Sequence, residues 1–264
     1  MIEPGTTIGD LSDEQEEQYS RELIAKASRR VAMLAFFDQK SGKTFGNGTG
    51  SLIRLRGGSF IVTNHHVWKA FLDIKKSEPN VSLMLIRHDS GGDKIDVGEV
   101  GVDISEARVV ALDEELDLAV LEYCSAEIEE AGKEYYDLSS SPAIRATEGA
   151  SGLFVGFPGS GENFEGERWT YSANLLQLRI NSVSDTEFNL RAENTKKQVL
   201  DVNSSGFPGM SGSLVYCSRD DRQPASPCGI LFFGPTNCSV VEKGDFVATH
   251  LDLIQSDGTI NRGG

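Results

Sequence analysis

The chain has 264 residues, 39% of them hydrophobic, which is enough for one large globular domain or two small ones sharing an interface. Its 40 acidic residues against 25 basic give a formal net charge of -15, a surface that repels phosphate backbones and anionic lipid, so neither nucleic acid nor a membrane is expected as a partner. No apolar run approaches the ~18 residues of a membrane span.

The opening MIEPGTTIGDLSDEQEEQ is acidic where a secretory leader would be basic and then apolar, which points to a cytoplasmic location. Ser12 and Gln15 have the spacing of a capping box, and Tyr19, Leu23, Ala27 and Arg30 or Val31 recur every three to four residues, so an amphipathic helix is expected over 13–30. Residues 1–30 then form an acidic N-terminal segment, either bracing the rest of the chain or docking a partner.

Short strand candidates follow, separated by Gly, Asn, Asp and Pro: 31–37, 50–56, 59–64, 81–87, 107–112 and 117–123. Several alternate apolar with polar residues, as SLIRLR and VSLMLIR do, which gives one buried and one wet face. A first six-stranded antiparallel barrel is expected over 31–124. The stretch 125–144 is polar and proline-bearing and reads as a linker. A second series, 151–157, 171–180, 186–193, 199–202, 211–217, 228–233 and 245–252, predicts a second barrel over 145–254, with a tail at 255–264. The fold class expected is all-β, two barrels preceded by a helix.

The four cysteines, Cys124, Cys217, Cys228 and Cys238, lack metal-ligand spacing, so no metal is expected, and no motif asks for a cofactor. Cys217 and Cys228 flank SRDDRQPASP, a stretch able to turn a hairpin, but a reducing compartment favours free thiols.

Three stretches carry chemistry. In SFIVTNHHVW a strand runs into a turn with two of the chain's four histidines, and a histidine there can act as a general base if a carboxylate fixes its other ring nitrogen. In ALDEELDLAVLEY, Asp117 directly precedes the apolar run LAVL and is expected at the edge of a core, unlike Asp113, Glu114 and Glu115, which are expected to be exposed. In GFPGMSGSLVY, Ser211 stands among glycines: Gly209 can take backbone angles that turn its N–H to the same side as that of Ser211, and Gly212 leaves room for a substrate chain. Each stretch alone has a bland reading as a strand end, a cap or a turn; together they have the order His, Asp, Ser.

With T-N-H-H-V (63–67), D-L-A-V-L (117–121), V-G-F-P-G (155–159), G-M-S-G-S-L-V (209–215) and G-I-L-F-F-G (229–234), the chain resembles the chymotrypsin-like serine proteases, and especially the bacterial trypsin-like group that includes the HtrA proteases. The resemblance covers roughly residues 31–252. The family pattern Thr-Asn-x-His-Val selects His66 over His65. It implies a double β-barrel with the site between barrels, a triad of His66, Asp117 and Ser211, and an oxyanion hole from the amides of Gly209 and Ser211. It also implies a substrate-binding strand around Phe232 and Phe233, with Gly234 bordering the pocket and Ser205 at its floor. With no acid at the floor, a preference for Lys or Arg is disfavoured, and Phe232, Phe233 and Val240 suit a small or medium apolar residue before the cut.

The chain departs from the digestive members of that family in two respects: Met210 stands where they carry an Asp, and their paired cysteines are missing. Activation by a freed N-terminus is therefore not expected. The reading is a serine endopeptidase acting on protein or peptide substrates, latent until a regulatory protein partner or substrate orders the loops 158–169 and 191–198. The alternative is an inactive relative that uses the same cleft to bind peptides.

Overall fold

In VAMLAFFD both faces of a strand are apolar, and strand β1 (Val31–Asp38) is buried along its length up to Asp38. A computed structural model of the chain describes residues 14, 18, 25–87, 94–96, 101–157, 163–165, 168–170, 174–191, 209–218, 225–234 and 245–262. The helix expected over 13–30 falls mostly outside these residues, although its described end at 25–27 is helical. The strand expected over 199–202 also falls outside them.

In the first half, β2 (Lys43–Leu55), β3 (Gly58–Thr63), β4 (Val81–Leu85), β5 (Lys94–Asp96), β6 (Val102–Asp103), β7 (Arg108–Asp113), β8 (Leu118–Glu122) and β9 (Tyr136–Asp137) follow β1. All but β5 form an eight-stranded sheet in the order β6-β4-β1-β2-β3-β8-β7, with β9 running parallel to β2. Alternation explains why the sheet curls. Ile61, Ala119 and Leu121 point into a core with Leu34, Phe36 and Leu52, while Phe60, Val62, Leu118 and Val120 point the other way, onto Val155, Leu214, Tyr216 and Ile230 of the second half. One face thus closes around its own core and the other becomes the seam between halves.

The second half carries β10 (Ser151–Gly156), β11 (Asn163–Glu165), β12 (Arg168–Thr170), β13 (Asn174–Val183), β14 (Glu187–Arg191), β15 (Leu214–Ser218), β16 (Ser226–Phe233) and β17 (Asp245–His250). Six of them close a barrel in the order β10-β13-β14-β17-β16-β15, filled by Phe154, Leu176, Ile180, Phe188, Leu190 and Phe246. The all-β double-barrel class holds, with the first barrel realised as a curled sheet whose described order ends at β6 and β7. Residues 158–169, expected as a loop, contain in their described part the hairpin β11–β12, and β12 pairs with β5 of the first half.

The sequence reading missed helix α1 (His65–Ser77), expected as a turn. Val67, Trp68 and Phe71 lie on one face of α1 and are buried against the first core, and Lys75 and Lys76 stand in the last turn, where they oppose the negative end of the dipole. A second helix, α2 (Ser125–Glu130), follows β8. Beyond it Lys133 is only 3% exposed, and its ammonium donates to the carbonyls of Ser28 and Val31, both at 2.9 Å, tying residues 125–144 to the start of β1. Burial pulls the Lys133 pKa down to about 7.

Two expectations are corrected. Cys217 and Cys228 are joined as a disulfide, because β15 and β16 bring their Cα atoms to 5.9 Å, within the reach of such a bond. The bond replaces the free thiols expected at these two positions. Asp113, expected to be exposed, is 6% exposed. Its burial opposes ionisation, but the Leu116 amide and the Arg262 guanidinium outweigh that and hold its carboxyl below the usual range. Among the described residues no helix is long and apolar enough to cross a membrane.

Candidate active site

His66 sits in the first turn of α1, directly after β3. Asn64, the residue before the helix, does not cap it with its own side chain; its amide donates instead to the Asp117 carbonyl at 2.9 Å. That carbonyl belongs to a residue with φ of 50°, the one described non-glycine residue in the left-handed region, a conformation that Asp tolerates better than most residues. The turn swings the Asp117 carboxylate back onto the helix start. One oxygen accepts the His66 backbone N–H at 2.8 Å and the other meets His66 Nδ1 at 2.5 Å. The carboxylate therefore takes over the capping that Asn64 leaves undone.

Held this way, the imidazole has its Nδ1 proton committed to Asp117 and its Nε2 free to accept. The His66 side chain is 50% exposed and that of Asp117 17%, so the acid lies behind the base. His65, its neighbour, makes no side-chain hydrogen bond among the described residues. His250 is buried against Phe188, with ring centroids 5.1 Å apart, and burial depresses its pKa, which marks it as a packing residue.

In the second half, the turn Gly209–Ser213 enters β15. Ser213 donates twice to the Met210 carbonyl, from its backbone N–H at 3.1 Å and its hydroxyl at 2.6 Å. A peptide unit points its C=O and N–H in opposite directions, so fixing the Met210 carbonyl aims the Ser211 N–H the other way. Met210, 1% exposed in the barrel core, anchors the turn by burial. Gly209 and Gly212 have φ of 95° and 96°, left-handed values that favour glycine. The amides of Gly209 and Ser211 and the Ser211 hydroxyl donate to nothing within the protein among the described residues.

The two halves of the site meet at β2. Thr49 N donates to the Ser211 carbonyl at 2.9 Å, and the Thr63 hydroxyl, three residues before His66, donates to the Thr49 carbonyl at 2.8 Å. A side-chain carbon at Gly212 would stand 2.9 Å from that Thr63 hydroxyl, and one at Gly48 would stand 2.5 Å from Val67, the residue after His66. The second barrel also reaches the acid's turn, through the Thr249 hydroxyl on the Leu116 carbonyl at 2.8 Å. Contacts through Thr49 and Thr63 thus tie the turn of Ser211 to the strand that leads into His66. No hydrogen bond joins the Ser211 hydroxyl to the imidazole among the described residues, and contacts of this kind commonly tighten only around substrate.

Of the residues expected to bind substrate, Ser205 lies outside the described residues, as does Val240. Phe232 is half-buried and sits at a break in the β16–β17 register, between Leu231 and Phe233. Phe233 pairs through its backbone with Val247. At Gly234 any side chain would meet the Phe246 ring at 2.9 Å. Sequence reasoning did not single out Asn64 or Thr49, although the first stands inside the TNHHV motif and the second in a polar-glycine alternation.

A protein-family model described as the trypsin-like peptidase domain matches residues 48–222, from the glycines of β2 to beyond Ser211. A search of curated proteins finds no match. Among solved structures, a protease of M. tuberculosis in its active form is similar at 15% identity and a TM-score of 0.46, over 86% of this chain and 78% of that one. The serine protease domain of the Sesbania mosaic virus polyprotein is similar at 11% identity and a TM-score of 0.42, over 84% of this chain and 89% of that one. A structure reported with the coupled folding and binding of the Sesbania mosaic virus VPg protein gives 12% identity and a TM-score of 0.44, over 84% of this chain and 87% of that one. Because the family model spans more than half of the sequence, positions 66, 117 and 211 included, the chain belongs to the trypsin-like peptidase domain family.

Proposed function

We propose that the chain is a serine endopeptidase in which His66, Asp117 and Ser211 cut peptide bonds through an acyl-enzyme. His66 Nε2 takes the proton of the Ser211 hydroxyl as its oxygen attacks the substrate carbonyl, and the positive imidazole is stabilised by Asp117. The carbonyl oxygen becomes an oxyanion facing the Gly209 and Ser211 amides. The bond to the leaving amine then breaks, with His66 donating the proton to that nitrogen. Water, deprotonated by the same imidazole, releases the acid product and restores the hydroxyl.

The observation that carries this reading is the double grip of Asp117 on His66, at the backbone N–H and at Nδ1. Capping alone asks the carboxylate to meet only a backbone N–H; one that also holds Nδ1 fixes the ring tautomer and leaves Nε2 to accept a proton, which supports the reading. The substrate is a protein or peptide with a small or medium apolar residue before the cut, and a regulatory partner that orders the loops beside the site belongs to the same reading. Hydrolysis of a peptide thioester series by the native chain and by Ser211→Ala tests it. The expected loss is on the order of 10⁶ in turnover, and equal turnover by the two proteins would remove Ser211 from the chemistry.

A further inference from the structure

The stretch GNGTGS, residues 46–51, alternates glycine with a polar residue along β2. Successive residues of a strand point to opposite faces, so Gly46, Gly48 and Gly50 share one face and Asn47, Thr49 and Ser51 the other. The glycine face is closed by its neighbours. A side-chain carbon would stand 3.1 Å from the Phe36 ring at position 46, 2.5 Å from Val67 at 48, and 3.0 Å from Ile61 and Leu34 at 50.

The polar face reaches the other half of the molecule. Asn47 donates to the Phe157 carbonyl at 3.2 Å. The Thr49 hydroxyl donates to the Gly209 carbonyl at 2.7 Å and accepts the Phe157 N–H at 3.2 Å. The Ser51 hydroxyl donates to the Gly212 carbonyl at 2.6 Å, and Thr49 N completes the set on the Ser211 carbonyl at 2.9 Å. Thr49 and Ser51 are fully buried.

We propose that Asn47, Thr49 and Ser51 form a ladder of positioning residues that sets the oxyanion geometry, a role that rests on the site described above. Each rung holds a carbonyl of the facing half. With the Gly209, Ser211 and Gly212 carbonyls pinned toward β2, the peptide units on either side of Met210–Ser211 cannot rotate. The Met210–Ser211 peptide unit between them, its carbonyl held by Ser213, then keeps the Ser211 amide aimed without any substrate to order it. Thr49 is the central rung, because it alone touches both Gly209 and Ser211.

Thr49→Val keeps the shape and the backbone N–H but removes the hydroxyl; Thr49→Ser restores it. Two measurements decide the case: steady-state hydrolysis of a peptide thioester across pH, and amide hydrogen exchange at Gly212 and Ser213 in the Ser211→Ala background. The ladder predicts a kcat lower by roughly 10- to 100-fold in Thr49→Val, the scale of a misplaced transition-state contact, with KM and the pH midpoint unchanged and recovery in Thr49→Ser. It also predicts exchange at least ~10-fold faster, since local opening sets protection. Exchange within twofold of the parent, or a fall in kcat accompanied by a displaced pH midpoint, would overturn the proposal. If the native chain hydrolyses nothing, alone or with cell lysate added, the peptidase reading falls and the exchange result alone decides the ladder. Should Thr49→Val fail to fold, Ser51→Ala removes a neighbouring rung and is read the same way.

Discussion

Replacing Asp117 with Asn tests the geometry of the base more sharply than removing the side chain. Asn is tolerated in the left-handed region that residue 117 occupies, so the turn survives, whereas Ala would add backbone strain. The His66 backbone N–H at 2.8 Å still demands an acceptor, so the amide oxygen takes that place and the NH₂ group faces Nδ1. A donor at that position forces Nδ1 to accept, puts the ring proton on Nε2, and leaves the ring unable to take the proton of Ser211. The cost of such a tautomer reversal is on the order of 10⁴ in turnover, or about 5.4 kcal/mol at about 1.36 kcal/mol per decade. The assay is kcat/KM on a peptide thioester, with urea unfolding as the control for folding. A kcat/KM within tenfold of the native value, in a folded protein, would refute the reasoning that Asp117 sets the tautomer.

Gly212→Ala should destabilise the chain by at least about 3 kcal/mol, because left-handed strain adds to a Cβ placed 1.8 Å from the Thr49 carbonyl; urea unfolding with a loss under about 1 kcal/mol would contradict that close approach. Lys133 provides a test of sign. Its pKa of about 7 lies below its ordinary value of 10.5, so above pH 7 the unfolded chain holds a proton that the folded chain has lost, and stability rises with pH up to the ordinary value, by at most about 1.4 kcal/mol per unit. Below pH 7 both states hold the proton and the slope vanishes. Unfolding at several pH values should show this rise in the native chain and a flatter profile in Lys133→Met; parallel profiles would contradict it.

Much of the site was legible because it depends on local order in the chain. TNHHV and DLAVL mark strand ends. Helix α1 was missed although Val67, Trp68 and Phe71 already have helical spacing, since the histidines before them read as a turn after a strand. Asp113 was misjudged because its partner Arg262 lies 149 positions away, and no local pattern reports such a contact. The Cys217–Cys228 bond depends on a strand pairing that the sequence suggested without fixing. The ladder of β2 was hidden because glycine-rich stretches suggest loops, whereas here the glycines let a strand pass close to the Phe36 ring and to Val67.

The central claim is that an imidazole in one half of the molecule activates a hydroxyl in the other. Treatment with a fluorophosphonate probe, alone and with cell lysate added, followed by mass spectrometry of the peptides, tests it most directly. The account predicts a single adduct on Ser211 that disappears in His66→Ala. An adduct on a different serine, undiminished labelling in His66→Ala, or no adduct on Ser211 under either condition would contradict it.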